Sequence, residues 1–253
     1  MECSQRSFCM FLAACLFVLG SGWCCAGQVR VAAASNFRDT MSTLAGRFEN
    51  ETEHQVTLIF GSTGKHYAQI MNGAPFDAFF AADTSRPMRL EEKNRIVPGS
   101  RFTYALGKLA LWSPVEAYVD SGGEILKTGN FRHLAIANPA LAPYGEAARE
   151  VIEGLGLWEE LEQRLVRGEN VGQAFLYVSS GNAELGFIAW SQLKGKNRAV
   201  KGSYWLVPDG LYQPIEQQAV LLSDNAASRA FMSFIRSDEA ASIISADGYE
   251  LAE

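Results

Sequence analysis

Three apolar segments in the first 145 residues end in small or hydroxyl residues and continue directly into a helical pattern. The segments and the residues that follow them are 29–34 before Ser35, 56–60 before Gly61 and 134–137 before Asn138. A helix start carries unpaired backbone N–H groups and the positive end of the helix dipole, so each junction is a candidate anion-binding position. In open α/β sheets, helix starts gather at the carboxyl ends of the strands, where ligands bind. The chain is therefore predicted to be an α/β protein with its ligand site at these junctions.

Composition and charge exclude several classes of partner. The chain has 253 residues, 48% of them hydrophobic and 20% charged, which is enough to build one large or two small domains. The formal net charge is −6, and no run of lysine and arginine occurs. Nucleic acid and anionic membranes are therefore not expected as partners. Because the overall field opposes an approaching anion, any anion site must depend on local, preorganised donors.

The first 26 residues have the composition of a secretory signal peptide. Arg6 precedes an apolar run at 8–19, and all five cysteines of the chain lie within residues 3–25. Cleavage near Ala26 would leave a cysteine-free chain, exported in soluble form to the periplasm. Two alternatives stay open: residues 12–15 fit a lipobox with Cys15 as the lipidated residue, or the segment remains as an anchor.

Strand and helix patterns alternate after this segment, which is typical of βαβ units and a mainly parallel sheet. Two extended stretches, 103–112 and 204–211, are candidates for crossovers between two lobes. The predicted organisation is a discontinuous lobe 1 at 27–107 plus 209–253, and a lobe 2 at 108–208. A cleft between lobes is a natural small-ligand site. One continuous sheet with two long connections is the alternative.

Several helix starts carry residues that are predicted to be N-caps. Ser35 or Asn36 would cap a helix with apolar residues at helical spacing, Thr63 would cap the second helix, and Asp83 or Thr84 the third. Pro143 suits the first turn of a helix. A serine or threonine at such a position can be explained by capping alone, without a bound ligand.

The usual catalytic and metal-binding patterns are missing from the sequence. The histidines are His54, His66 and His133, with no HExxH pair, and there is no GxSxG motif. The GSTGK segment at 61–65 is not a P-loop, because Ile59 stands where the earlier glycine belongs and His66 replaces the required hydroxyl residue. The chain is therefore predicted not to be an enzyme and to have no cofactor. An exported phosphate or sulfate ester hydrolase is retained as an alternative, with Ser35 and His66 as its conceivable pair.

The junction residues resemble the periplasmic molybdate-binding proteins of ABC importers. The matching segments, which extend over essentially the whole exported chain, are AAAS at 32–35, FGSTGK at 60–65, YAQI at 67–70, GAPFDAF at 73–79, AAD at 81–83, NP at 138–139, APYG at 142–145 and ENV at 169–171. The resemblance implies a type II periplasmic-binding-protein fold: two lobes of mainly parallel sheets flanked by helices, with the ligand in the interlobe cleft. It also implies a monomer that binds molybdate or tungstate and delivers it to the transmembrane permease of an ABC transporter. Molybdenum would be present only as the bound oxyanion.

The resemblance also assigns ligand-binding residues, one position at a time. The two hydroxyl ligands fall on Ser35 and Thr63, with Ser62 as a further candidate, and two backbone N–H ligands fall on Tyr144 and Val171. A fully deprotonated tetrahedral oxyanion accepts hydrogen bonds only, so a set of donors matches it. A receptor for another oxyanion, such as sulfate or phosphate, is the nearest alternative.

One departure from the family pattern concerns a tyrosine hydroxyl. Some members carry Leu-Gly-x-x-Tyr in a late strand, whereas this chain has Ala189 at the tyrosine position. That contact must be absent or replaced by backbone, by water or by another residue. The side chain of Tyr144 is one candidate for the replacement, in place of a purely backbone role.

Overall fold

The computed structural model describes residues 26–195 and 199–252. The predicted signal peptide therefore lies outside the described residues, except for Ala26, as does Cys15 of the lipobox alternative. Within the described ranges, no helix combines the length and the apolar character that a membrane crossing requires.

The described strands form two five-stranded sheets. The first sheet has the order β2-β1-β3-β10-β4 and the second the order β7-β6-β8-β5-β9. The strands are β1 Gln28–Ala34, β2 Gln55–Gly61, β3 Ala78–Phe80, β4 Phe102–Gly107, β5 Leu109–Ser113, β6 Leu134–Ala137, β7 Leu165–Gly168, β8 Leu185–Ala189, β9 Ser203–Leu206 and β10 Ile215–Leu221.

Helices cover both sheets and connect most of their strands. They are α1 Arg38–Glu51, α2 Thr63–Met71, α3 Ser85–Glu92, α4 Ile125–Thr128, α5 Pro143–Gly154, α6 Trp158–Leu161, α7 Val171–Ser179, α8 Trp190–Lys194, α9 Ala226–Ile235 and α10 Asp238–Ala246. Strands β6 and β8 are buried along their whole length, which explains their nearly continuous apolar sequences.

Four of the five strands in each sheet run in the same direction. In the first sheet β1 pairs in parallel with β2 and β3, while β10 is antiparallel to both of its neighbours. In the second sheet β6 pairs in parallel with β7 and β8, and β5 is the reversed strand. The chain therefore forms mainly parallel sheets, each with one reversed strand.

The chain passes between the sheets at two extended segments. Strand β4 belongs to the first sheet and β5 to the second, with only Lys108 between them, and the return leads from β9 to β10. The first passage falls within the predicted stretch 103–112, whereas the second begins within 204–211 and continues to residue 214. The alternative of one continuous sheet is wrong, because β4 and β10 belong to one sheet and β5 and β9 to the other.

Two of the predicted N-caps are wrong. Ser35 and Asn36 lie inside a short 3₁₀ turn, Ser35–Phe37, that precedes α1, and neither side chain caps a helix. Thr63 is the first residue of α2, whose N-cap is Ser62. At the third helix start, the Asp83 carboxylate accepts a hydrogen bond from the Arg86 N–H at 3.0 Å, as predicted for a capping residue. These differences free the hydroxyls of Ser35 and Thr63 for other partners.

Candidate functional site

Five strand-to-helix junctions meet at one small cavity between the two sheets. The first sheet contributes the ends of β1, β2 and β3, and the second contributes the residues that follow β6 and β7. The cavity brings together all five residues that the sequence suggested. Its lining residues are Ala34, Ser35, Asn36, Gly61, Ser62, Thr63, Ala82, Ala142, Pro143, Tyr144, Asn170 and Val171.

The Ser35 hydroxyl connects the two sides of this cavity. Ser35 follows β1 and is 6% exposed, and its Oγ accepts a hydrogen bond at 3.2 Å from the N–H of Gly172 in α7. Gly172 belongs to the second-sheet side, so this bond spans the cleft. A hydroxyl that accepts from an N–H keeps its own proton for another acceptor. Ser35 can therefore donate to a ligand in the cavity while it holds the opposite side.

Thr63 and Ser62 are neighbours with different roles. The Oγ1 of Thr63 accepts a hydrogen bond at 3.1 Å from the N–H of Ala82, which follows β3, so the threonine proton is available to a ligand. The Oγ of Ser62 accepts at 3.3 Å from the N–H of Lys65, as an N-cap does. Both side chains are buried. Ser62 therefore caps α2, whereas Thr63 holds the segment that follows β3.

The backbone of the second-sheet side supplies further donors. Tyr144 is the second residue of α5, after Pro143, and Val171 is the first residue of α7. Neither N–H has an acceptor within the described part of the chain. N–H groups in the first turn of a helix lack intrahelical partners, and here both residues line the cavity. Together with the hydroxyls, they form a set of donors that converge from both sides.

The side chain of Tyr144 extends away into the junction between the sheets. Its hydroxyl occupies the space that a Cβ on Gly107 would need, beside the Gln217 amide. This hydroxyl is buried and has no hydrogen-bond partner among the described residues. Burial raises the pKa of the Tyr144 hydroxyl well above its usual value, so it stays protonated. Ala189 is fully buried and is not among the residues that line the cavity.

Charged side chains stand near the cavity in pairs. Lys65 Nζ lies 2.9 Å from the Glu169 carboxylate on the opposite side of the cleft, and Arg86 pairs with Asp83. In the described part of the chain, no group of three or more histidine, cysteine or acidic residues is arranged to hold a metal ion. An anion in this cavity would be attracted by the hydroxyl and N–H dipoles of its lining residues.

A second, wider groove shares Ala82 and Pro143 with this cavity. Its walls carry acidic residues such as Glu146 and Glu216 beside arginines such as Arg89. Carboxylates repel an anion, and no carboxylate is among the residues that line the smaller cavity. The smaller cavity is the better candidate for an oxyanion.

His66 does not form the pair that a hydrolase would require. Its ring nitrogens lie 3.2 Å from the carbonyl oxygen of Ala33 and 3.0 Å from the side-chain oxygen of Gln69, so the ring is not bonded to Ser35. Burial lowers the pKa of His66 below its ordinary value and favours the neutral ring. The histidine therefore packs behind the cavity as a structural residue.

The sequence interpretation missed three kinds of lining residue. Asn170 caps α7 by accepting from the Gln173 N–H at 3.1 Å, a role that its place before the helix signals. The Asn36 side chain donates to the Gln217 side-chain oxygen at 2.6 Å, a contact across 181 residues that no local pattern reveals. Ala82 contributes its backbone, and its side chain gives no sequence signal.

Comparisons with known proteins agree with this geometry. The chain matches the family model of bacterial extracellular solute-binding proteins over residues 29–250. It is 48% identical over 229 residues to the molybdate-binding protein ModA of Azotobacter vinelandii, covering 89% of this chain and 91% of that protein. ModA of Rhodobacter capsulatus is 47% identical, with 88% of each chain covered. The solved structure of the A. vinelandii periplasmic molybdate-binding protein superposes with a TM-score of 0.86 at 43% identity, covering 89% of this chain and all of that one (100%). The predicted two-lobed periplasmic-binding-protein fold is thereby confirmed.

Proposed function

Because this chain belongs to the bacterial extracellular solute-binding proteins, and among them to the ModA family, we propose that it binds molybdate and delivers it to an ABC permease. The ligand occupies the small cavity between the sheets. Ser35 and Thr63 donate through their hydroxyls, and Tyr144 and Val171 through their backbone N–H groups. Ser62 remains the cap of α2 and is at most an additional donor. Molybdenum is held as the oxyanion, without a separate metal site or cofactor.

One observation carries this proposal: the hydroxyls of Ser35 and Thr63 each already accept a hydrogen bond from a backbone N–H. Ser35 Oγ accepts from Gly172 and Thr63 Oγ1 accepts from Ala82, so each hydroxyl has its proton to offer. A tetrahedral dianion presents only acceptors and satisfies all of these donors. A protonated ligand offers these donors fewer acceptors and brings an O–H that the backbone N–H groups cannot accept, which disfavours its binding.

Closure of the cleft follows from the position of the donors. Ser35 and Thr63 belong to the first-sheet side, while Tyr144 and Val171 belong to the second. An anion that binds all four favours the closed arrangement, and a permease can recognise that state. We place the lobe boundaries at 27–107 plus 209–253 and 108–208, as predicted from the sequence.

The proposal extends to export and partners. A signal peptide at 1–26 would direct the chain to the periplasm, with lipidation at Cys15 as the alternative. The exported protein would act as a monomer, take tungstate as well as molybdate, and catalyse no reaction. The main competing function is a receptor for sulfate or phosphate, which are tetrahedral oxyanions with the same acceptor chemistry.

Isothermal titration of the exported chain tests the proposal. Molybdate and tungstate should bind with one site per chain, and sulfate and phosphate should bind far more weakly. Tight sulfate or phosphate binding without a molybdate response would replace the proposal by its competitor. Hydrolysis of a generic phosphate ester by the same preparation would restore the enzyme alternative.

A further inference from the structure

A lysine and a glutamate from opposite sides of the cleft meet beside the anion cavity. Lys65 Nζ lies 2.9 Å from Glu169 Oε2, although the two residues are 104 positions apart in the chain. Lys65 stands two residues after Thr63 in α2, and Glu169 stands two residues before Val171 at the start of α7. Each charge therefore flanks a proposed anion donor on its own side of the cleft.

The surrounding contacts hold both residues in place. The Gly64 N–H donates to the carbonyl oxygen of Leu141 at 2.8 Å, which brings α2 against the second-sheet side. The backbone N–H of Glu169 donates at 2.7 Å to the side-chain oxygen of Gln173. The ion pair is thus supported by neighbouring hydrogen bonds on both sides, and separating the two sides would pull its charges apart.

A carboxylate beside an anion site is otherwise unfavourable. Glu169 would repel a dianion held by Val171, and the chain as a whole already carries a net charge of −6. Lys65 neutralises this charge in the closed state. Both side chains keep part of their surface exposed, 51% for Lys65 and 33% for Glu169, so opening the cleft returns each to water at small cost.

We propose that Lys65 and Glu169 are positioning residues that form an interlobe clasp and slow the release of the bound oxyanion. The pair does not touch the anion. It stabilises the closed cleft around the anion, and its rupture is part of the opening step. This inference rests on the proposed function, because it concerns the retention of the same ligand.

Charge reversal separates a clasp from a simple effect of local charge. Glu169→Lys places two lysines opposite each other, so a clasp model predicts release about three- to tenfold faster than in the wild type. A model in which only the local field matters predicts slower release, because positive charge near the anion increases. Lys65→Glu should accelerate release in both models. The combined Lys65→Glu and Glu169→Lys variant restores an ion pair and should return release to within about twofold of the wild type.

The experiment follows release of radiolabelled molybdate into an excess of unlabelled molybdate for these variants. Glu124→Lys is the matched control, since it makes the same charge change at the exposed Lys127–Glu124 pair of α4, also 2.9 Å long but confined to one side. This control should release at the wild-type rate, and ligand-free melting temperatures should agree among all variants. A Glu169→Lys protein that releases as slowly as the wild type or more slowly would overturn the clasp. So would a double variant that releases as fast as the faster single variant.

The outcome for the clasp can be distinguished from the outcome for the proposed function. Wild-type protein is first titrated with molybdate and with sulfate. If only sulfate binds, the molybdate assignment fails, and the same release series with radiolabelled sulfate still decides whether the clasp exists.

Discussion

Replacing Ser35 by alanine should weaken oxyanion binding strongly and leave the ligand-free protein almost as stable as before. Ser35 does not cap a helix, and its Oγ contacts Gly172 only across the closed cleft. The variant therefore loses little that holds the open, ligand-free protein together. In the bound state it loses both its hydrogen bond to the anion and the bond that joins the two sides.

The size of the effect follows from these two bonds. A hydrogen bond to a charged group contributes about 1.5–3 kcal/mol, and a neutral one about 0.5–1.5 kcal/mol. Their sum, about 2–4.5 kcal/mol, corresponds to a loss in affinity of about 30- to 2,000-fold. A role limited to the interlobe bond alone would lower the affinity by about 2- to 12-fold.

Ser62→Ala is the matched control because it removes a hydroxyl from the same cavity wall. Ser62 caps α2 through the Lys65 N–H, so its loss should cost about 1 kcal/mol of stability and lower the melting temperature by about 2–4 °C. Its affinity should change by less than about threefold. Isothermal titration and ligand-free thermal melting of the two variants measure both quantities. The argument is refuted if Ser35→Ala lowers the melting temperature and keeps its affinity, or if Ser62→Ala shows the larger loss of binding.

Three further predictions concern other residues of the site. Thr63→Val should weaken molybdate binding by about 1.5–3 kcal/mol in a titration. It should also lower the ligand-free melting temperature, because the Ala82 N–H loses its acceptor. Undiminished affinity would show that the threonine only supports the loop. Tyr144→Phe should keep its affinity for molybdate within about threefold, because the hydroxyl lies in the interlobe junction without a described partner. Tyr144→Pro should lose the backbone donor. A tenfold loss of affinity in Tyr144→Phe would restore the hydroxyl as a ligand. Because the pKa of His66 is lowered in the folded protein, the unfolded chain takes up a proton first as pH falls. Stability that is present above pH 6.5 should therefore be lost as pH falls toward the folded-state pKa, by at most about 1.4 kcal/mol per pH unit. An unchanged pH dependence of denaturant unfolding in His66→Gln would contradict this.

The sequence by itself determined several of the elements and indicated where their ends lie together. Apolar runs that end in small residues predicted β1, β2 and β6, and Pro143 predicted the first turn of α5, because these features act within a few residues along the chain. The carboxyl ends of parallel strands share one edge, so the junctions could be expected to lie together. Resemblance to a known family then selected Ser35, Thr63, Tyr144 and Val171 from the many residues at such junctions.

The tertiary structure alone decided what each side chain does at those positions. A hydroxyl at a helix start can cap, donate across a cleft or bind a ligand, and a local pattern is the same in all three cases. Ser62 became the cap and Ser35 the interlobe contact because of one 3₁₀ turn and the approach of Gly172 across 137 residues. The Lys65–Glu169 pair and the buried Tyr144 hydroxyl depend in the same way on how the two sheets face each other. That arrangement is set by packing between distant segments. Periodicity and capping signals extend over only one or two helical turns, so they do not encode it.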